Sequence, residues 1–189
     1  MRELLRHVAD IRVGYSFRTK IENDPVGDIR VLQISDIRNA TALDPQVLPR
    51  VKWPVASQPP LLRPGDVVIP ARGDHYEALV IQSDEPMVAS GQLFVIEPRT
   101  AAVRPDYLCW FLNRPESSNY ILKNRAGSSI PSLSRPVLGD LPITIPALET
   151  QKKILALAQL WQQEQMLSQQ LLVNRQKMLE GIYSKLLES

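Results

Sequence analysis

LETQKKILALAQLWQQEQMLSQQLLVNRQKMLEGIYSKLLES, residues 148–189, decides how the chain is organised. It is built almost wholly from strong helix formers, with Gly181 its one intrinsically poor helix residue. All 16 prolines lie at or before Pro146, so a proline-punctuated region hands over to a single helix expected from Glu149 to Leu187. At ~1.5 Å per residue that helix would be roughly 58 Å long, too long to be folded away inside the residues before it. The expected organisation is a domain over 1–146 and a helical appendage over 147–189.

Along this helix Leu157, Leu160, Leu167, Leu171, Met178, Ile182 and Leu186 recur at steps of three, four or seven, which draws one apolar stripe. Trp161, Met166, Leu172, Leu179 and Tyr183 widen it. Between Gln159 and Asn174 the only charge is Glu164, while glutamine fills 159, 162, 163, 165, 169 and 170, so the polar face is wet but barely charged. Such a helix needs a partner. Polar Glu164 and Asn174 fall on the line of the stripe, so the pattern suits a short antiparallel helix pair better than a long heptad zipper. The competing reading is a terminal helix folded back on its own domain.

The composition, 189 residues with 44% apolar, is enough for one real core plus the appendage. No stretch approaches the ~20 apolar residues of a membrane span, and MRELLRHVADIR lacks the apolar run of a signal peptide, so a cytoplasmic protein is expected. Cys109 stands alone inside YLCWFL, which leaves no disulfide framework or cysteine metal site within the chain and makes a core thiol the simplest reading. No cofactor or metal is expected. Net charge is only +2, but 15 of the 22 bases are Arg, and 14 of these precede Ala147. Arginine forks onto guanine edges and phosphates in a way lysine does not, although most surface arginines serve ordinary ion pairs.

Over 1–146 the pattern is that of an α+β, β-rich domain. MRELLRHVADIRV reads as a short helix leading into a strand; RVLQIS, DVVIPA, ALVIQ, QLFVIE and LPITI read as strands. PDYLCWFLNRP and ESSNYILKNRAG read as two helices separated by Pro115, the second closed by Gly127. The proline-rich segment Leu43 to Pro64 reads as mostly loop.

Several segments, in order, resemble the specificity subunit of type I restriction-modification systems. VADIRVGYSF resembles that family's helix ending in an I-R-S-G turn, and VLQISDIRN its I-R-I-S-D-I strand and turn. LLRPGDVVIPARG resembles L-x-x-G-D-I-L-I-S-x-R-G, with Gly65, Asp66, Arg72 and Gly73 matching. GQLFVIEP with PDYLCWFLN resembles the following strand and Y-L-x-Y-x-L helix. GSSIPSLSRPVLGDLPITIPALETQKKIL resembles the G-S passage that runs through I-x-I-P-x-L-x-x-Q-x-K-I into a spacer helix. One departure is Pro146-Ala147 where the family has a double proline. The match is to one half of such a subunit: one target recognition domain and one spacer helix. The resemblance implies a non-catalytic chain that gives DNA specificity to methyltransferase subunits and, where present, a restriction subunit. It implies too that two domains sit at opposite ends of an antiparallel helix pair, a geometry that a half-length chain would rebuild as a homodimer on a bipartite palindromic site.

The residues agree by omission. There is no N-P-P-Y or D-P-P-Y motif for adenine methylation, no glycine-rich loop for S-adenosylmethionine and no G-x-x-x-x-G-K-S phosphate loop. Base reading is expected on the loops between strands: Ser35 and Arg38 after one strand, and Arg72, Asp74, His75 and Tyr76 in the turn ARGDHYEA. Arg72 suits guanine, with Asp74 orienting it, accepting from a cytosine amino group or simply forming the turn; Tyr76 suits stacking, phosphate or packing. Lys123, Arg125, Ser128, Ser129, Ser132, Ser134 and Arg135 concentrate hydroxyls and positive charge, a phosphate-and-base segment that would otherwise be a helix cap and loop. A protein-only adaptor that pairs through its helix without touching DNA is the alternative.

Overall fold

A computed structural model describes residues 2–38, 43–53, 57–127 and 131–188. The chain divides into two units, 1–148 and 149–189.

The first unit opens with β1 (Arg2–Leu4), the helical turn α1 (Leu5–Val8) and β2 (Ala9–Val13). β3 (Ile29–Leu32), α2 (Ile34–Ile37), a 3₁₀ turn at Pro45–Val47 and β4 (Arg50–Val51) follow. Next come β5 (Val67–Pro70), β6 (Leu79–Val80), β7 (Met87–Ala89) and β8 (Leu93–Pro98). Helices α3 (Pro105–Leu112), α4 (Pro115–Asn124) and α5 (Arg135–Gly139) precede β9 (Pro142–Thr144). Among the described residues three sheets result: an antiparallel ribbon β2-β8-β5-β6, a mixed sheet β4-β3-β7 in which β3 and β7 run parallel, and the pair β1-β9. β5 and β8 are buried over most of their length, which is why they read as unbroken β-branched runs rather than alternating strands. Leu32, Ile37, Val68, Ile81, Met87 and Leu93 belong to the core cluster between sheets.

The two sheets touch at Gly14. Its amide donates to Leu93 O at 2.9 Å and the next residue's to Ala89 O at 2.8 Å, and a Cβ at Gly14 would lie 2.1 Å from Ser90 O. Only glycine lets these backbones approach so closely. A second backbone demand is met at Gly65, where φ of +96° turns the chain into β5 while the Asp66 carboxylate accepts from Arg63 N at 2.9 Å. Burial pushes the Asp66 carboxyl up from its ordinary range, against these hydrogen bonds.

Helices α3 and α4 begin alike. Arg104-Pro105-Asp106 and Arg114-Pro115-Glu116 each place Pro in the first turn, with the cap arginine forked onto the acid two residues on. Asn113, between them, clamps the backbone of Ala78, accepting from its N–H at 2.6 Å and donating to its O at 2.9 Å. Cys109 donates to the same oxygen at 3.3 Å, and burial pushes its thiol up to about 11. In the native protein at pH 8, Cys109 is therefore expected to alkylate about a hundredfold more slowly than a free cysteine, gaining ordinary reactivity on unfolding. Equal rates in both states would contradict this burial.

Four details differ from the sequence reading. The strand read in RVLQIS stops at Leu32, because Asp36 Oδ2 accepts from Gln33 N at 2.8 Å and starts the turn α2. Gly127 has φ of +95° but does not close α4, which ends at Asn124 with Arg125 already extended. Strands β1 and β7 and helix α5 join the expected elements, β1 taking the start of the segment read as helix. The loop read over Leu43 to Pro64 contains the short β4 and the 3₁₀ turn.

The second unit is the helix α6 (Leu148–Leu187), 40 residues without a break. Its stripe is solvent-exposed throughout, from 43% at Ile182 to 67% at Leu157. Among the described residues no helix is long and apolar enough to cross a membrane.

Candidate nucleic-acid interface

β2, β3, β5 and β7 all end, and β8 begins, around one region of the first unit. Ser90 N donates to Leu32 O at 2.8 Å and Ala71 N to Gln92 O at 2.8 Å, so the segments leaving these strands lie side by side. A cleft of about 400 Å³ opens there, lined among others by Tyr15, Phe17, Lys20, Ser35, Arg72 and Gln92. Arg72 also borders a niche of about 10 Å³, room for a single water, together with Arg38, His75 and Glu77.

The third segment reaches the same place through backbone pairing. Gly73 N donates to Pro131 O at 2.8 Å and Leu133 N to Ala71 O at 2.9 Å, while Ser132 exchanges both hydrogen bonds with Ala126. Gly73, at φ of +94°, makes the turn that lets residue 74 face residue 125. Arg125 Nη1 donates to Asp74 Oδ1 at 3.1 Å, so Asp74 orients Arg125 rather than Arg72.

The expected residues thus sort into three groups. Ser35, Arg38, Arg72, Asp74, His75, Arg125 and Ser132 meet around the strand ends. Lys123 is exposed in the last turn of α4. Ser134 caps α5 by accepting from Val137 N at 3.3 Å. Arg135, next to it, helps hold the Asp10 carboxyl below its ordinary range, behind the larger effect of the Arg99 hydrogen bond. Tyr76 is in the interior, 6% exposed, with its hydroxyl unpartnered among the described residues. Ser128 and Ser129 lie outside the described residues. Gln92, which sequence reasoning did not single out, lines the same cleft as Arg72 from the turn just before β8.

Ion pairing separates structural arginines from available ones. At least seven are tied to carboxylates: Arg6, Arg12, Arg30, Arg99, Arg104, Arg114 and Arg125. The most buried, Arg30, is 5% exposed and donates to Glu85 at 2.5 Å and to Gln46 Oε1 at 2.6 Å. Arg38 and Arg72 are exposed and have no ion pair among the described residues. Their guanidinium forks remain open to a ligand.

The first unit is an α+β domain that gathers unpaired arginines, an amide and hydroxyls at one end of its strands, and the second is a helix with an exposed apolar stripe. The chain belongs to the family described as the type I restriction modification DNA specificity domain, whose model matches residues 4–160. It is similar in fold to the HsdS subunit from Thermoanaerobacter tengcongensis, with a TM-score of 0.62 and 24% identity over 87% of this chain and 37% of that one. A structure described as the basis of complex assembly and conformational transition of the type I R-M system matches with a TM-score of 0.64 and 22% identity, over 87% of this chain and 38% of that one. The type I S subunit from M. genitalium matches with a TM-score of 0.57 and 10% identity, over 86% and 39%. The chain therefore spans less than two fifths of the length of each. No curated protein matches it.

Proposed function

We propose that this chain is a non-catalytic DNA specificity subunit whose first unit reads one half-site of a duplex. Through α6 it pairs with a second copy, so that the dimer reads a bipartite palindrome and brings methyltransferase subunits, and a restriction subunit where one is present, to that site. The convergence of the 35–38 and 72–75 segments with Arg125 and Ser132 carries the reading, with Arg38 and Arg72 unpaired among the described residues. Arg72 forks onto a guanine edge, while Lys123, exposed on α4, serves the phosphates. The exposed stripe on α6 supports this pairing, because a twofold interface presents the same apolar face from both partners.

Binding to matched and mismatched duplexes over a salt series tests this division. Arg72→Ala is expected to lower discrimination at one base position by ~1–3 kcal/mol, whereas Lys123→Ala weakens all duplexes alike and flattens the log–log salt slope by about 1. Equal, small losses on both kinds of duplex for both variants would refute the assignment. Absence of any salt-dependent DNA binding would favour the adaptor that the exposed helix equally serves.

A further inference from the structure

The strand ends bring Gln92 and Arg72 to one cleft. β5 and β8 are antiparallel with Pro70 opposite Leu93, and Ala71 N donates to Gln92 O at 2.8 Å, so Gln92 faces the residue before Arg72 across the ladder. Both side chains line the same cleft of about 400 Å³. Gln92 is exposed, and its carboxamide has no hydrogen-bond partner among the described residues. The backbones beneath both are held by buried strands, so the pair is presented from a fixed platform rather than from a free loop.

The lining also limits the ligand. Ser16, Thr19, Ser35 and Ser90 bring hydroxyls to the lining, Lys20 an ammonium, Arg72 a guanidinium, and Gln33 and Gln92 carboxamides, beside the half-buried rings of Tyr15 and Phe17. Asp and Glu are missing from its lining among the described residues. Lys20 is paired with Glu22 at 3.7 Å, which leaves Arg72 as the unpaired cation of a lining suited to an anionic, hydrogen-bonding surface. A free carboxamide beside a free guanidinium matches two neighbouring purines: Gln pairs bidentately with adenine N6 and N7, and Arg with guanine O6 and N7.

We propose that Gln92 is a specificity-determining residue that reads an adenine in the major groove, at a base pair next to or one removed from the guanine read by Arg72. This rests on the DNA-reading function proposed above. The Gln92 carboxamide accepts from adenine N6 and donates to N7, while hydroxyls at the rim and Lys20 hold the neighbouring phosphates. Its carboxylate analogue only accepts, and so suits the N4 amino group of cytosine instead.

The test is selection of bound duplexes from a random library with the full-length chain, its Gln92→Ala variant and its Gln92→Glu variant. Each is first checked for an unchanged thermal melt, which the exposure of Gln92 leads one to expect. The parent chain should recover a motif with adenine within two base pairs of a guanine. Gln92→Ala should lose preference at that adenine alone, by roughly 5- to 150-fold, and Gln92→Glu should move the preference there toward cytosine. If the parent recovers a motif and both variants recover the same one unchanged, Gln92 reads no base and this inference falls while DNA reading stands. If the parent recovers no motif, the DNA-reading function fails and this inference with it. Uniform weakening by Gln92→Ala at every position would likewise overturn it, because it would place Gln92 on the phosphates.

Discussion

Replacing Leu167 and Leu171 with glutamate is expected to convert the proposed dimer to a monomer and to lower affinity for a duplex carrying both half-sites by about 10²–10⁴-fold, the span of a lost bivalent linkage. Both side chains lie on the stripe and are more than half exposed in the single chain, at 65% and 51%. The substitution therefore leaves the fold of one chain alone and acts on what covers the stripe. Four carboxylates brought together in a twofold helix pair would be desolvated and would repel one another, whereas in the monomer they stand in water. Binding to a single half-site should be unchanged, and this separates loss of pairing from damage to the reading domain. Sedimentation analysis and titration with one-site and two-site duplexes measure the two effects on the same samples. A variant that keeps both its dimeric mass and its two-site affinity would show that the stripe pairs with nothing in the assembly.

Gly14→Ala is expected to destabilise the first unit by about 3 kcal/mol or more, at the upper end of overpacking costs. The added methyl would sit 2.1 Å from Ser90 O, 2.6 Å from Ala89 O and 2.7 Å from Ser90 C. All three are backbone atoms at the end of β7 and the start of the turn into β8, so no side chain can swing aside. Relief would need the Gly14–Leu93 and Tyr15–Ala89 hydrogen bonds to break, and these join the two sheets next to the cleft. For a domain of this size the loss is a fall in melting temperature of roughly 10 °C. Gly73→Ala offers a comparison: nothing lies within 4 Å of its new methyl, so only the cost of a positive φ remains. Melting curves in which Gly14→Ala is no worse than Gly73→Ala would contradict the close approach.

The helix was legible because its signals are local: forty residues without proline and an apolar period of three and four that no strand can imitate. β5 and β8 were legible as unbroken β-branched runs. By contrast β7 is three residues long and pairs in parallel with β3, more than fifty residues earlier, so nothing around Met87–Ala89 announces it. α5 had a readable start in Ser134 with Pro136 two residues on, but five residues are too few to show a period. At the candidate site, the turn 72–75 and the loop around Arg125 were each legible from composition. Their meeting was not, since the Asp74–Arg125 pair joins residues 51 apart. Gln92 and the burial of Tyr76 depend on register and packing, which one sequence carries only through its partners.

The most direct measurement is selection of bound duplexes from a random DNA library at moderate salt, with the oligomeric mass determined on the same purified chain. A dimer that recovers an inverted, gapped motif is the expected result. A monomer that recovers no motif would contradict both the pairing of α6 and the reading of DNA by the strand-end cleft.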